Sequence, residues 1–245
     1  MHLKTDGLVI KETATGENDR LVTVLTREYG LIRAFVRGAK KLKSSFQCST
    51  QLLSYSRFSF YKSRNAYIID ESQPIEIFFK LRENIERLAL AQYFCELALE
   101  VAPESDNADE YLRLFLNSLS LLSGGKRPQP LIKAVTELRL VSIAGYMPNL
   151  VACENCGKYK DKFMCFDMQN GLLHCSECDN NQNTTPIGMG IVTAMRHICL
   201  SEFERIYSFS LSNENLDALS SITENYLMNQ IGRGFKTLSF YKQLL

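Results

Sequence analysis

Alternating apolar and polar positions dominate the first 75 or so residues of the chain. A period of two is typical of half-buried β-strands, and turn-forming residues separate the alternating segments. Short strands of this number predict a small β-barrel or sandwich. The run from Arg20 to Gly38 predicts a hairpin that turns at Glu28 to Gly30. The predicted strands are LVIKE, RLVTVLT, LIRAFVRG, LLSYSRFSFY and AYIIDE, interrupted by ATGEND, REYG and KSRN.

From about Pro74 the pattern becomes helical, and it predicts a long amphipathic helix that continues through Val101 and ends before Pro103. The same periodicity predicts further helices near residues 109–122, 129–144, 187–199 and 213–230. We therefore expect a multidomain chain with a β domain first and an α domain second. The predicted boundaries are 1–80 for the β domain and 81–245 for the helical domain, which carries a cysteine-rich insert at 150–183.

The insert contains two C-x2-C pairs that are separated by eighteen residues. This spacing is typical of a structural zinc site, because each pair can present two thiolates from a tight turn, and two turns complete a tetrahedron at about 2.3 Å. Four thiolates leave no open position for water, so one structural Zn²⁺ is predicted. The predicted ligands are Cys153, Cys156, Cys175 and Cys178.

Other chemistries of the insert are less consistent with the sequence. Redox-active pairs should start a helix in a βαβ unit, and neither pair follows a suitable strand. A nucleobase deaminase needs H-x-E and P-C-x-x-C, but His2, His174 and His197 begin no such motif, and alanine precedes Cys153. His174 could replace one cysteine as a ligand. Cys165 is expected to be buried within the insert.

Charge is distributed unevenly along the chain, although the formal net charge is only +1. Residues 1–80 carry 13 Lys and Arg against 8 Asp and Glu, a net charge of +5, whereas the remaining residues carry −4. A basic first part suggests that any contact with a polyanion lies there. Neither an apolar signal core nor a run long enough for a membrane helix is present, so a cytoplasmic protein with no membrane contact is expected.

Two predicted strands each place aromatic and guanidinium groups on one face. Arg33, Phe35 and Arg37 alternate with small apolar residues, and Tyr55 and Arg57 follow the same pattern in another strand. Bases stack on aromatic rings while guanidinium groups bind phosphates, so the mixture favours a single strand of nucleic acid. The alternative is the solvated edge of an ordinary barrel. The candidate DNA-binding residues are Arg33, Phe35, Arg37, Lys40, Lys41, Lys43, Tyr55, Arg57, Lys62 and Arg64.

No phosphate-binding loop, dinucleotide fingerprint, nucleophile elbow or H-E-x-x-H motif is present in the sequence. We therefore expect no enzymatic activity.

Three segments, in this order, resemble the RecO family of bacterial recombination mediators. They are the opening run GLVIKETATGENDRLVTVLTREYGLIRAFVRGAKKLKS, the stretch GYMPNLVACENCG and the closing segment GRGFKTL, which together span residues 7 to about 240. The resemblance implies an N-terminal OB-fold, a helical C-terminal domain and a zinc-binding insert. By position, Arg33, Arg37, Lys40, Lys41 and Lys43 match the basic strand and loop of the family's OB domain, and the four paired cysteines match its zinc ligands.

The resemblance also implies a function in recombinational DNA repair near the nucleoid. Family members bind single-stranded and double-stranded DNA, anneal complementary strands, and act with RecR, and in some cases RecF, to load RecA onto DNA coated by single-stranded DNA-binding protein. The C-terminal tail of that protein is a further partner. Arg233 and Lys236 match the family's closing basic segment, but they could equally pair with acids such as Glu224 or contact the partner tail. The alternative function is a zinc-stabilised adaptor that binds proteins and not DNA.

Overall fold

The computed structural model describes residues 2–41, 43–63, 66–180 and 183–245, and its chain forms two compact units. Unit 1 comprises residues 1–124 and 235–245, and unit 2 comprises residues 125–234. The strands are β1 (His2–Thr15), β2 (Asp19–Thr26), β3 (Leu31–Val36), β4 (Ser54–Lys62), β5 (Tyr67–Ile77), β6 (Phe163–Asp167), β7 (Leu172–Cys175) and β8 (Thr185–Gly188). The helices are α1 (Phe46–Ser49), α2 (Ile85–Val101), α3 (Asp109–Gly124), α4 (Gln129–Val141), α5 (Met189–Leu200), α6 (Asn213–Ile231) and α7 (Lys236–Gln243).

In unit 1, the first five strands close into a barrel in the order β1-β2-β3-β5-β4. Neighbouring strands are antiparallel except β3 and β5, which form a short parallel pair. The small barrel and the hairpin of β2 and β3 confirm the sequence predictions. Alternate side chains fill the interior because successive residues of a strand point to opposite faces, and this core includes Val9, Val22, Val24, Ile32, Ala34, Val36, Phe58, Phe60 and Ile69.

The prediction that the helical pattern begins near Pro74 is wrong. Strand β5 continues to Ile77 and stays paired with β4, with Ser56 opposite Pro74 and Tyr55 opposite Glu76. The register therefore shifts by one residue at this point, and proline is tolerated in a sheet at such a bulge.

Helix α2 follows a 3₁₀ turn at Phe79–Glu83, and Asn84 caps its first turn by accepting a hydrogen bond from the Arg87 amide at 2.8 Å. The predicted amphipathic pattern is wrong for this helix. Apolar residues surround most of its circumference because it packs against the 3₁₀ turn, α3, α7 and β1. The Glu96 carboxylate of α2 accepts hydrogen bonds from the amide and hydroxyl of Thr237 at the start of α7.

Unit 2 is built around the packing of α4 against α6. Lys133 of α4 is buried between two carboxylates, with its Nζ 2.9 Å from Glu137 and 2.9 Å from Glu224 of α6. A π turn at Ser142–Tyr146 ends α4, and the antiparallel sheet β7-β6-β8 lies between α4 and α5 in sequence. The helices predicted near residues 109, 129, 187 and 213 are confirmed.

In the described parts of the chain, no helix combines the length and the apolar character needed to cross a membrane.

Candidate nucleic-acid interface and metal site

The four paired cysteines of unit 2 converge on one point. Two tight turns present them: the Gly157 amide donates to the Cys153 carbonyl at 2.9 Å, and the Cys178 amide donates to the Cys175 carbonyl at 3.1 Å. All four sulfur atoms lie within 4.8 Å of one another, and Cys156 Sγ is 3.6 Å from Cys175 Sγ. A zinc–sulfur bond of about 2.3 Å places tetrahedral sulfur atoms about 3.8 Å apart. This geometry fits a four-thiolate metal site.

The protonation chemistry of the cluster also fits a bound dication. Burial disfavours the Cys153 thiolate, but backbone amides of Cys156, Cys175 and Asn155 lower its pKa to about 6. In contrast, the adjacent sulfur atoms of Cys175 and Cys156 raise the pKa of Cys178 to about 12. Several thiolates this close repel one another, and a coordinated metal ion removes that obstacle to full ionisation.

Neither of the other insert residues considered from sequence belongs to the cluster. Among the described residues, the group of side chains that could hold a metal ion consists of the four cysteines and includes no histidine. His174 lines a neighbouring pocket with Asp167, Asn170 and Cys178, the last being one of the four cysteines. Cys165 is buried in β6, as predicted, and burial raises its pKa to about 11.

A groove of about 620 Å³ opens on the barrel surface beside β3. Strand β3 buries Ile32, Ala34 and Val36 and therefore turns Arg33 and Phe35 outward. Phe35 is 38% exposed. The residues that line the groove are Leu21, Arg33, Phe35, Lys62, Ser63, Ala66 and Tyr67. Three predicted site residues, Arg33, Phe35 and Lys62, thus share one concave surface.

The connection after β3 carries four of the predicted cations, Arg37, Lys40, Lys41 and Lys43, all exposed. We call these four residues the basic loop. The Asp19 carboxylate accepts a hydrogen bond from the Gly38 amide at 2.7 Å, and the Asn18 carbonyl accepts one from the Lys40 amide at 3.0 Å. The turn before β2 and the first residue of β2 therefore hold the basic loop in place at the end of β3.

Tyr55 and Arg57 are separated from the groove. The Arg57 guanidinium lies 2.9 Å from the Asp6 carboxylate, and Arg27 donates to the Tyr55 hydroxyl at 3.5 Å. Arg57 is five residues before Lys62 in β4, which is about 17 Å along the strand. Tyr55 and Arg57 therefore lie near the opposite end of β4 from Lys62, and they do not extend the face of Arg33. Arg64 lies outside the described residues.

Sequence reasoning missed Tyr67, the first residue of β5, as a member of the groove. The closing basic segment is also located by the structure: Arg233 follows α6, and Lys236 is the first residue of α7. Glu224, which was considered as their acid partner, binds Lys133.

Two models of one protein family together match nearly the whole chain. The family model "Recombination protein O N terminal" matches residues 1–78, and "Recombination protein O C terminal" matches residues 82–239. The chain belongs to the recombination protein O family. This confirms the resemblance to RecO and the fold of an OB-like barrel followed by a helical domain with a possible metal site.

Relatives named DNA repair protein RecO match this chain over nearly its full length. The relative from Acetivibrio thermocellus is 35% identical over 244 residues, which cover 99% of this chain and 97% of the relative. Those from Symbiobacterium thermophilum and Alkaliphilus metalliredigens are 30% and 28% identical, covering 98% and 100% of this chain and 96% and 100% of the relatives. Their names state a role in DNA repair and no enzymatic activity.

Proposed function

We propose that this chain is a non-enzymatic recombination mediator that binds single-stranded and double-stranded DNA and anneals complementary strands. Membership of the RecO family supports the general role in DNA repair. In this proposal it acts with RecR, and with RecF, to load RecA onto DNA coated by single-stranded DNA-binding protein, whose C-terminal tail it contacts. It works in the cytoplasm at the nucleoid.

The observation that carries the DNA-binding proposal is the groove, where unpaired cations lie beside an exposed aromatic ring. Arg33 and Lys62 line it together with Phe35, and neither cation has a carboxylate partner among the described residues. Other barrel arginines are neutralised, as in the pairs Arg20–Glu12 at 3.0 Å, Arg27–Asp109 at 3.2 Å and Arg57–Asp6 at 2.9 Å. The groove and the basic loop therefore bring together Arg33, Lys62 and the four cations of the loop, which are available to phosphates.

Annealing follows from charge neutralisation. Two complementary strands repel one another through their phosphates, and a protein that binds phosphates releases counterions and reduces that repulsion. Base pairing then completes the reaction, and no nucleotide hydrolysis is required. In this proposal, residues 1–80 are the DNA-binding domain and residues 81–245 are the helical domain. The zinc-binding insert comprises residues 150–183 of the helical domain.

We further propose that the four-cysteine cluster holds one structural Zn²⁺. The donor set is four cysteine sulfur atoms within 4.8 Å of one another, which suits zinc and would leave no coordination position for a substrate. Cys153, Cys156, Cys175 and Cys178 would each supply one sulfur. The ion would fix the turn after α4 to the end of β7.

A salt series tests the proposal. Fluorescence anisotropy of a labelled single-stranded oligonucleotide should show binding whose log affinity falls linearly with log salt concentration. Replacing Arg33 and Arg37 with alanine should flatten that slope by about 0.7 per lost phosphate contact. Arg57→Ala is the matched control, because Arg57 is already paired with Asp6 and should change the slope less.

Two results would contradict the proposal. An unchanged slope in the double variant would move the DNA site away from the groove and basic loop. Absence of binding by the zinc-loaded protein even at low salt would favour the protein-binding adaptor.

A further inference from the structure

Tyr67 occupies a fixed position in the groove. Its ring packs edge-on against the core residue Phe60, with centroids 6.3 Å apart and an interplanar angle of 79°. The residue is half-buried, and it lines the groove together with Phe35. A ring already held by the core loses little conformational freedom when a ligand stacks on it.

Lys62 covers this ring. Its Nζ lies 5.5 Å from the centroid of Tyr67, within the range of a cation–π contact, and the two residues are directly opposite in the β4–β5 pairing. The ammonium group has no carboxylate partner in the described chain. A backbone phosphate group carries a full negative charge, and it is therefore a stronger partner for the ammonium group than the ring is.

We propose that Tyr67 is the stacking platform for one unpaired base in the groove, and that Lys62 covers the ring until a phosphate of the bound strand takes the ammonium group. This inference rests on the proposed function and names the part of the nucleic acid that the groove recognises. Bases within a duplex are stacked on their neighbours and cannot reach a ring in a groove. The groove therefore selects a single strand, whereas a duplex contacts only cations through its phosphates.

The experiment uses a single-stranded oligonucleotide that carries one 2-aminopurine, whose fluorescence is quenched when it stacks. Tyr67→Leu removes the aromatic face but keeps an apolar side chain against Phe60, and Tyr67→Phe keeps the ring. Tyr29→Leu is the matched control, because Tyr29 is an exposed tyrosine in the turn between β2 and β3, outside the groove. Urea unfolding of each variant checks that the fold is retained.

Wild type, Tyr67→Phe and Tyr29→Leu should quench 2-aminopurine, and Tyr67→Leu should not. Loss of one stacked base should weaken single-strand binding by Tyr67→Leu by about five- to 150-fold. Replacing the reporting base with an abasic site should weaken wild type similarly and leave Tyr67→Leu unchanged. Lys62→Met should keep the quenching while the salt slope falls by about 0.7.

If Tyr67→Leu binds the oligonucleotide with the same affinity as wild type and quenches 2-aminopurine to the same extent, this inference is overturned while the proposed function stays intact. An unchanged salt slope in Lys62→Met would overturn the role of the lysine. Failure of the wild-type protein to bind the oligonucleotide would overturn the proposed function itself.

Discussion

Gly30 ends the turn that precedes β3, and we expect its replacement by alanine to destabilise unit 1. The residue has φ of +61°, and a Cβ placed on it would lie 2.1 Å from the carbonyl oxygen of Pro103 in the connection between α2 and α3. That carbonyl accepts a hydrogen bond from the Leu31 amide at 2.8 Å. A methyl group at this position must displace the Pro103 backbone and break the hydrogen bond.

Gly16 supplies a matched control. It also has φ of +61°, but a Cβ placed on it would meet nothing within 4 Å. Alanine in the left-handed region costs about 1–2 kcal/mol at either position, partly offset by the lower entropy of the unfolded chain. Gly30→Ala additionally loses a hydrogen bond, worth about 0.5–1.5 kcal/mol, and must relieve the overlap. We therefore expect Gly30→Ala to be less stable than Gly16→Ala by at least about 1 kcal/mol.

Urea unfolding followed by circular dichroism measures this difference as a shift in midpoint at constant slope. DNA binding by the two variants should also be compared, because the turn at Gly30 begins the strand that carries Arg33 and Phe35. Equal losses of stability in the two alanine variants would refute the reasoning. They would show that the Pro103 connection adjusts without cost.

Three further predictions concern unit 2. Lys133→Met should lower the free energy of unfolding by about 3–5 kcal/mol, because it removes the buried cation that two buried carboxylates share. A variant that also converts both glutamate partners to glutamine should recover most of the loss in the same urea assay. Burial raises the pKa of Tyr226 from its ordinary value near 10 to about 12, so its contribution to stability is present below pH 10 and is lost as pH rises to 12. In a pH series, the free energy of unfolding of Tyr226→Phe should therefore fall less steeply than that of wild type over this window. Cys175→Ser should release the metal in an elemental assay and lower the melting temperature, and an exposed-cysteine control, Cys48→Ser, should do neither.

Local patterns in the sequence were sufficient to predict the strands of the barrel and the cluster of four cysteines. Alternation identified β3 because it has one buried face and one exposed face, and the structure buries Ile32 and Ala34 while exposing Arg33. The cysteine spacing was informative because tight turns are local structures, so that two C-x2-C pairs already specify two halves of a tetrahedron.

Features that depend on long-range packing could not be predicted in this way. The order β1-β2-β3-β5-β4 places β5 between β3 and β4, and no local pattern states which strands pair. This order pairs Tyr67 with Ala34 of β3 and so brings it to the groove. Helix α7 was missed because its start is capped by Glu96, 141 residues earlier in the chain.

The two ends of the hairpin formed by β2 and β3 differ in how they are held and in what they expose. At the turn, Leu31 and Arg27 form backbone hydrogen bonds to Pro103 and Ala108, and Arg27 is neutralised by Asp109. Beyond the other end of β3, the cations of the basic loop are exposed, and the segment is held by hydrogen bonds to Asn18 and Asp19 and by the buried side chain of Ala39. The anchored end fixes the direction in which β3 presents its outward side chains, so the unpaired cations face solvent where a strand can reach them. Carboxylates neutralise Arg20, Arg27 and Arg57, whereas the cations of the groove and the basic loop have no carboxylate partner among the described residues. A domain of modest net charge can therefore keep a local cluster of exposed positive charge.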